Sequence, residues 1–252
     1  MPASIRRTFS RAARTYGPAA RVQQAVAGTC AARCPAGEYG RVLDAGAGTG
    51  FLARALAPRI AWGSYVALDL SADMLRAHRQ AAPPALLVAG DGEAPPLAPA
   101  AFDLLVSASA LQWFSQPERS LPALFALLKP GAAFSLAVFI AGTLAELAAA
   151  SAESGFGSVL PLRPADAWLD LLATAGFQPE HRIENRILYF PSVREVLCSL
   201  QRTGTAFTPD KRAASRKRYE TFLSTYQDRF DTPDGVPATY SVLYAWGRVP
   251  QP

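Results

Sequence analysis

The sequence predicts an α/β fold: a doubly wound, seven-stranded, mostly parallel sheet with N-terminal helices and a helical insertion late in the chain. Three observations predict it. From Arg41 to Phe139, short and continuously apolar runs alternate with helical patterns, and such strands belong to parallel sheets covered on both faces. "RVLDAGAGTG" carries one of these strands straight into a glycine-rich turn at the head of a helix. Beyond Phe139 the alternation loosens, yet the chain ends on another apolar strand, "ATYSVLYAWGRV", so the late helices insert into the same sheet. The 252 residues therefore read as one domain, 1–252, with N-terminal helices over 1–37, a first half over 40–140 and a second half over 141–252.

Ile5, Phe9, Ala12 and Tyr16 recur at helical spacing, and "AARVQQAVAGTCAARC" continues as a second amphipathic helix. "IRRTFSRAARTYGPAARVQQ" is arginine-rich and precedes the first acid, Glu38, as a mitochondrial transit peptide would. Its periodicity nevertheless leads directly into the fold, which favours a retained helix pair. "RVLDAG" is a strand and "TGFLARALA" a helix stopped by Pro58. "YVALDL" is the second strand, and "SADMLRAHRQA" a helix with Ser71 as its N-cap. "ALLVAGD" is the third strand, followed by the Pro-rich loop "GEAPPLAPAA". "FDLLVSAS" is the fourth, "PERSLPALFALL" a helix, and "AAFSLAVF" the fifth strand after the turn "KPG". "GTLAELAAASAE" and "PADAWLDLLATAGF" are helical, and "QPEHRIENRILYF" is a strand. "SVREVLCSLQRTG" and "PDKRAASRKRYETFLSTYQDRF" form a helical insertion over about 190–235 before the closing strand. An insertion there sits over the carboxyl ends of the strands, where doubly wound sheets bind ligands.

Composition narrows the class. The best apolar run, "AAFSLAVFIAG", falls well short of the roughly 18 residues a membrane span needs, so no membrane is expected. Cys30 and Cys34 have no second pair or nearby histidine to complete a zinc site, so no metal is expected, and reduced thiols suit a cytoplasmic chain. The net charge of +5 invites a partner with an acidic surface. No stripe of interleaved basic and aromatic residues suggests nucleic acid.

Glycines at Gly46, Gly48 and Gly50 let the backbone approach a ligand, and the helix behind them offers its amides. A phosphate-binding loop would carry Gly-Lys-Ser/Thr, and there is no lysine. The dinucleotide fingerprint is one residue longer than this G-x-G-x-G. S-adenosylmethionine remains. Asp69, closing the second strand, is placed to accept from ribose hydroxyls, a feature shared with NAD sites. Asp91, closing the third, is placed to accept from an adenine amino group, and Asp44 to orient the turn or meet an ammonium. One such acid alone would read as a solvated loop carboxylate; three at strand carboxyl ends read as a site.

"VLDAGAGTG", "ALDLS", "GDGEAPPL" and "FDLLVSASALQWF", in this order between Val42 and Phe139, resemble the class I S-adenosylmethionine-dependent methyltransferases. The resemblance implies that Asp44, Gly46 and Gly48 line the methionine end, Asp69 the ribose, and Asp91 with Gly92 the adenine. Gly50, Leu70 and Ser107 are implied as further cofactor contacts. Ala47 stands where relatives often carry cysteine, and its small side chain keeps the turn's geometry. The flanks "FSRAARTYGPAARVQQAVA", "SALQWFSQPERSL", "GTLAELAAA" and "VREVLCSLQRTGT" resemble the malonyl-acyl carrier protein O-methyltransferases of biotin synthesis over nearly the whole chain. This implies S-adenosyl-L-methionine as donor, the free carboxylate of malonyl-acyl carrier protein as acceptor, Tyr16 closing over the cofactor and Trp113 flanking the pocket. The match thins between Ser151 and Leu162, and Gln201-Arg202 stands where a more basic pair is expected.

A carboxylate acceptor fits the residue inventory. Methyl transfer is an in-line displacement that needs alignment above all. A carboxylate with a pKa near 4 is already ionised at neutral pH and needs no general base. The two histidines, His78 in a helix and His181 in an edge strand, read as structural. An arginine pairing with the acceptor would hold it but, if too strong, blunt it as a nucleophile. The candidates are Arg11 and Arg14 from the first helix and Arg202 from the insertion. "KRAASRKR", Lys211 to Arg218, is either a solvated face or a docking surface for an acidic carrier protein. Two other readings stay open: a methyltransferase for another small acceptor, and a cofactor-binding protein that does assembly or hydroxylation work. A nucleic-acid methyltransferase would carry N/D-P-P-Y/F after the fourth strand, where "SASA" stands.

Overall fold

The computed structural model describes residues 2–204 and 215–251. Helices α1 (Pro2–Ala19) and α2 (Arg21–Arg33) lead into β1 (Glu38–Ala45), α3 (Phe51–Leu56), β2 (Ala61–Asp69), α4 (Ala72–Ala81) and β3 (Leu86–Ala89). Then come β4 (Phe102–Ala108), a 3-10 turn at Leu111–Trp113, α5 (Pro117–Phe125), β5 (Leu128–Phe139), α6 (Ala145–Ser154) and α7 (Ala165–Thr174). The chain finishes with β6 (Glu180–Phe190), α8 (Val193–Arg202), α9 (Arg216–Phe230) and β7 (Val236–Arg248).

The seven strands lie in the order β3-β2-β1-β4-β5-β7-β6. β1 to β5 are parallel, and β7 enters antiparallel between β5 and β6. The sheet is entered at β1 and winds outward to β3, then the chain returns to β4 on the other side. The β1/β4 boundary is therefore the switch point, where flanking crossovers diverge and leave a crevice at the carboxyl ends. β3 is shorter than its sequence suggests. It stops at Ala89, so Asp91 lies in the turn beyond it.

Alternate residues of the central strands feed two cores, which explains why the strands read as continuous apolar runs. Val42, Leu104, Ala133 and Val242 face one side with α2, α3 and the insertion helices, where Val26, Leu56, Val196, Phe222 and Tyr226 are buried. Leu43, Leu105, Phe134 and Leu243 face the other, against Leu121 and Leu124 of α5 and Trp168 and Leu172 of α7. Phe177 meets Phe125 and Phe134 edge-on there, with centroids 5.0 and 4.9 Å away. No helix among the described residues is long and apolar enough to cross a membrane.

Candidate functional site

At the switch point the glycine turn is pinned from two directions. The amides of Gly46 and Ala47 donate to the Leu68 carbonyl at 2.8 and 3.0 Å. The Gly48 amide donates to Asp69 Oδ2 at 2.8 Å, and the Ser71 amide to Asp69 Oδ1 at 2.8 Å. Asp69 thus ties the turn to the end of β2 and to the start of α4, where the Ser71 hydroxyl accepts from the Met74 amide as the N-cap. Gly46 and Gly50 are required by geometry. Both are left-handed, and a Cβ on Gly46 would lie 2.2 Å from that of Ala110, one on Gly50 2.4 Å from that of Ala82. Gly50 abuts the buried His78 ring, so it supports the turn from behind.

The turn forms one wall of a cleft bordered by Asp44, Gly46, Gly48, Asp69, Leu70, Asp91, Gly92 and Glu93. The sequence-predicted positions Asp44, Gly46, Gly48, Asp69, Leu70, Asp91 and Gly92 are thereby brought together. Gly50 and Ser107 do not border it. Ser107 is fully buried and donates to the Ala45 carbonyl at 2.7 Å, which locks β4 to the end of β1. Asp44 is 1 % exposed; its Oδ2 accepts from Tyr65 at 2.8 Å, while its Oδ1 has no partner. Burial raises its carboxyl to about 7, against the Tyr65 hydrogen bond and with help from the Asp69 charge. Asp69 is raised too, chiefly by burial, with the Ser71 and Gly48 amides opposing. Glu93 sits in the loop after β3. Burial pushes its carboxyl up, but bonds from the Ser115 and Gln116 amides and the Ser115 and Ser120 hydroxyls more than offset this and hold it low. It anchors the start of α5.

Beside the cleft lies a second chamber of about 290 Å³. Phe9, Tyr16, Gln23, Ser109 and Trp113 border both spaces and form their shared wall. Tyr16, Phe9 and Trp113 run along it as an aromatic row that Phe51 extends on the cleft side. Tyr16 stacks on Phe51 at 6.0 Å, Phe9 meets Tyr16 at 6.4 Å, and Trp113 meets Phe9 at 5.4 Å. Burial, reinforced by Asp69, raises the Tyr16 hydroxyl well above its ordinary range, so it stays a neutral donor. The remaining walls are apolar and come from α6, the 156–162 loop, α8, α9 and β7: Leu147, Phe156, Leu162, Leu200, Phe222 and Tyr240 among them.

No Asp, Glu, His, Lys or Arg borders this chamber among the described residues. Arg11 and Arg202, expected near the acceptor, are exposed and border neither space. The reason is rotational. Helix α1 turns Phe9 and Tyr16 inward and α8 turns Leu197 and Leu200 inward, which leaves both arginines on the solvent side. The Arg202 backbone carbonyl accepts from Thr15 at 2.9 Å, joining α8 to α1. The Arg14 side chain, Lys211 and Arg212 lie outside the described residues. Of the basic run, Arg216, Lys217 and Arg218 are exposed at the start of α9, one turn from Tyr219, whose ring packs on Phe156 at 5.0 Å.

A methyltransferase-domain family model matches residues 43–136. The malonyl-[acyl-carrier protein] O-methyltransferase of Geobacter sulfurreducens is 32% identical over 97% of this chain and 97% of its own length. The chain belongs to the malonyl-[acyl-carrier protein] O-methyltransferase family. The family's member from Dechloromonas aromatica is also 32% identical, over 98% and 94%. The biotin biosynthesis bifunctional protein of Cellvibrio japonicus is 32% identical over 95% of this chain and 49% of its own length. Among solved structures, YcgJ of Bacillus subtilis matches at TM-score 0.63 with 15% identity, covering 90% and 99% of the two chains. The [4+2]-cyclase SpnF matches at 0.55 with 19% identity over 91% and 82%. At such identities the structures share the fold, and a fold that also hosts a cyclase does not fix the chemistry.

As in its class I relatives, the methyl donor of this family member is S-adenosylmethionine. The chamber is bordered by residues that the sequence did not single out as site residues: Phe9, Gln23 and Ser109 on the shared wall and Gln112 beside it. Ser109 and Gln112 lie inside the quoted stretch "FDLLVSASALQWF", so their nearness to the site was legible. Gln23 carried a different signal, an uncharged polar residue on the inward face of α2 among Val22, Val26 and Ala27, where burial leaves it 6 % exposed.

Proposed function

We propose that this chain transfers a methyl group from S-adenosylmethionine to the free carboxylate of a malonyl thioester on an acyl carrier protein, in the cytoplasm. The observation that carries the reading is the pairing of the two spaces. A glycine-lined cleft shares a wall with a largely apolar chamber that offers, among the described residues, no carboxylate, imidazole or amine to act as a general base. An alcohol or amine acceptor would need its proton removed there; a carboxylate arrives ionised.

The cleft's donor set suits the cofactor. Asp44 Oδ1 and Thr49 Oγ1 are buried without partners, and the glycine turn is open where a Cβ on Gly48 would meet nothing. In this reading Asp44 meets the ammonium, Gly46 and Gly48 line the methionine end, Asp69 takes the ribose beside Leu70, and Asp91 with Gly92 takes the adenine. When bound, the cofactor supplies an electrophilic methyl group on a sulfonium. The chain's contribution is alignment and dryness: Tyr16, Phe9 and Trp113 close the shared wall, exclude water and hold the acceptor in line. Residues 1–252 act as one domain, with α1, α2 and the insertion as the lid that selects the acceptor. The exposed cations at the start of α9 belong to that lid and suit an acidic carrier protein.

The experiment is a mass spectrum of malonyl-acyl carrier protein after incubation with the chain and S-adenosylmethionine, with malonyl-coenzyme A in parallel. One methyl gained on the carrier-bound group, faster than on the coenzyme A thioester, is the expected result. No gain on either, from protein that binds S-adenosylhomocysteine, overturns the acceptor and leaves the cofactor in place.

A further inference from the structure

The chamber is largely apolar, and its unpartnered buried polar atoms lie at or next to the wall it shares with the cofactor cleft. There three side chains present buried polar atoms without partners: Gln23 Oε1, Ser109 Oγ and Gln112 Oε1. A buried polar atom left unsatisfied is costly, so three bordering one chamber require a reason. Ser109 is further held at φ 60, the left-handed region, although it carries a side chain. Its backbone is fixed on both sides. The amide donates to the Ala137 carbonyl at 2.9 Å, and the carbonyl accepts from Gln112 Nε2 at 2.7 Å. That bond uses one of the two N–H groups of the Gln112 carboxamide and fixes where the other points.

Resting on the malonyl reading above, we propose that Gln23, Ser109 and Gln112 are a neutral clamp that seats the acceptor's carboxylate against the cofactor cleft. A carboxylate takes only donors, and these groups can supply them. The Ser109 hydroxyl rotates freely, Gln112 has a spare N–H, and a half-turn of the Gln23 carboxamide exchanges its oxygen for an NH₂. The absence of charge is the functional point. A guanidinium would compete for the lone pair that attacks the methyl group, whereas amide and hydroxyl donors orient the carboxylate and leave it nucleophilic. That no arginine among the described residues borders the chamber fits the same requirement. Gln112 does not border the cofactor cleft, so it separates acceptor binding from cofactor binding.

The test compares malonyl-acyl carrier protein with a malonamyl carrier, whose acyl group ends in a carboxamide. Binding is measured to the chain loaded with S-adenosylhomocysteine, and methyl transfer to the malonyl form in parallel. The wild type is expected to bind the malonyl form about tenfold more tightly, the worth of one charge-assisted hydrogen bond. Gln112→Glu is expected to reverse that preference, because the new carboxylate repels the malonyl end and accepts from the amide. Gln23→Leu and the minimally disruptive Ser109→Ala are expected to raise KM for the malonyl carrier about tenfold with a smaller change in kcat. Gln112→Glu should leave S-adenosylhomocysteine affinity within about twofold, which reports an intact fold. An unchanged malonyl preference in Gln112→Glu and unchanged KM in the other two, from a wild type that methylates the malonyl carrier, overturns the clamp alone. A wild type that methylates no malonyl thioester overturns the acceptor reading and the clamp with it.

Discussion

The cofactor cleft and the acceptor chamber share a wall but are built on opposite principles. The cleft is made largely of backbone: a glycine turn held by the Leu68 carbonyl and the Asp69 carboxylate, all within one β-α-β unit. The chamber is made of side chains that meet only in the fold, from α1, α2, α6, α8, α9 and β7. The first turns on a local backbone fixed by hydrogen bonds. The second is apolar and assembled from distant elements, so its specificity can drift while the cleft is fixed by geometry.

The largest expected effect tests that fixed backbone. Gly46→Ala places a Cβ 2.2 Å from the Ala110 Cβ in a backbone at φ 80. The left-handed strain costs about 1–2 kcal/mol and the overpacking about 1–3 kcal/mol, so S-adenosylhomocysteine affinity should fall about 100-fold by calorimetry. Leu147→Ala in the chamber wall should instead cost about 2–4 kcal/mol of stability and leave that affinity within about twofold. A Leu147→Ala protein that loses cofactor affinity as severely as Gly46→Ala would break the division between the two spaces.

Second in size is the carrier protein's approach. Arg216, Lys217 and Arg218 stand exposed beside the chamber's rim, with Arg216 paired to Glu220 at 2.8 Å. Reversing all three to glutamate should raise KM for the malonyl carrier about tenfold at low salt and flatten its salt dependence. KM for malonyl-coenzyme A should rise less. Equal KM increases for both thioesters would show that the cations act on the small acyl group and not on the protein that carries it.

The contrast also explains what could be read in the chain. The cleft was legible because its parts are contiguous: "VLDAGAGTG", "ALDLS" and "GDGEAPPL" each supply a backbone shape together with at least one acid. Ser107 was misassigned because a serine at a strand end looks the same whether it faces a cleft or, as here, bonds the neighbouring strand. The chamber was not legible, since an amphipathic helix shows which face is buried but not what it is buried against. The arginines illustrate this. Arg11 follows Phe9 by two residues and Arg202 follows Leu200 by two, about 200° around a helix. Their charge suggested a carboxylate partner, but periodicity already placed them opposite the inward face.

A smaller effect is expected from pH. In the free protein the Asp44 carboxyl is raised to about 7 by burial. A carboxyl raised in the fold stabilises the free protein below the ordinary carboxylate range, and that contribution is lost as pH rises through about 7. A bound ammonium requires the ionised form, so S-adenosylhomocysteine affinity should rise with pH and level off above that point. The gain should be about threefold between pH 6.5 and 7.5. Asp44→Asn should bind more weakly and show no such rise. A rise that persists in Asp44→Asn would assign the titration to another group.

The smallest expected effect falls where the cleft meets the lid. Ser71 is buried, caps α4 through Met74 at 3.3 Å and shares a hydrogen bond with Ser10 of α1 at 2.9 Å. Its amide separately holds Asp69 at 2.8 Å. Ser71→Ala removes the hydroxyl and keeps the amide, so it cuts the cap and the tie to α1 without releasing the glycine turn. The cap is worth about 1 kcal/mol, which in a chain of this size lowers Tm by about 2–4 °C. Cofactor affinity should stay within about twofold, since the Asp69 and Gly48 contacts remain. If affinity falls as far as it does in Gly46→Ala, then the Ser10–Ser71 tie holds the glycine turn as well as α1, and the boundary between the hydrogen-bonded turn and an adaptable lid must be moved outward past Ser10.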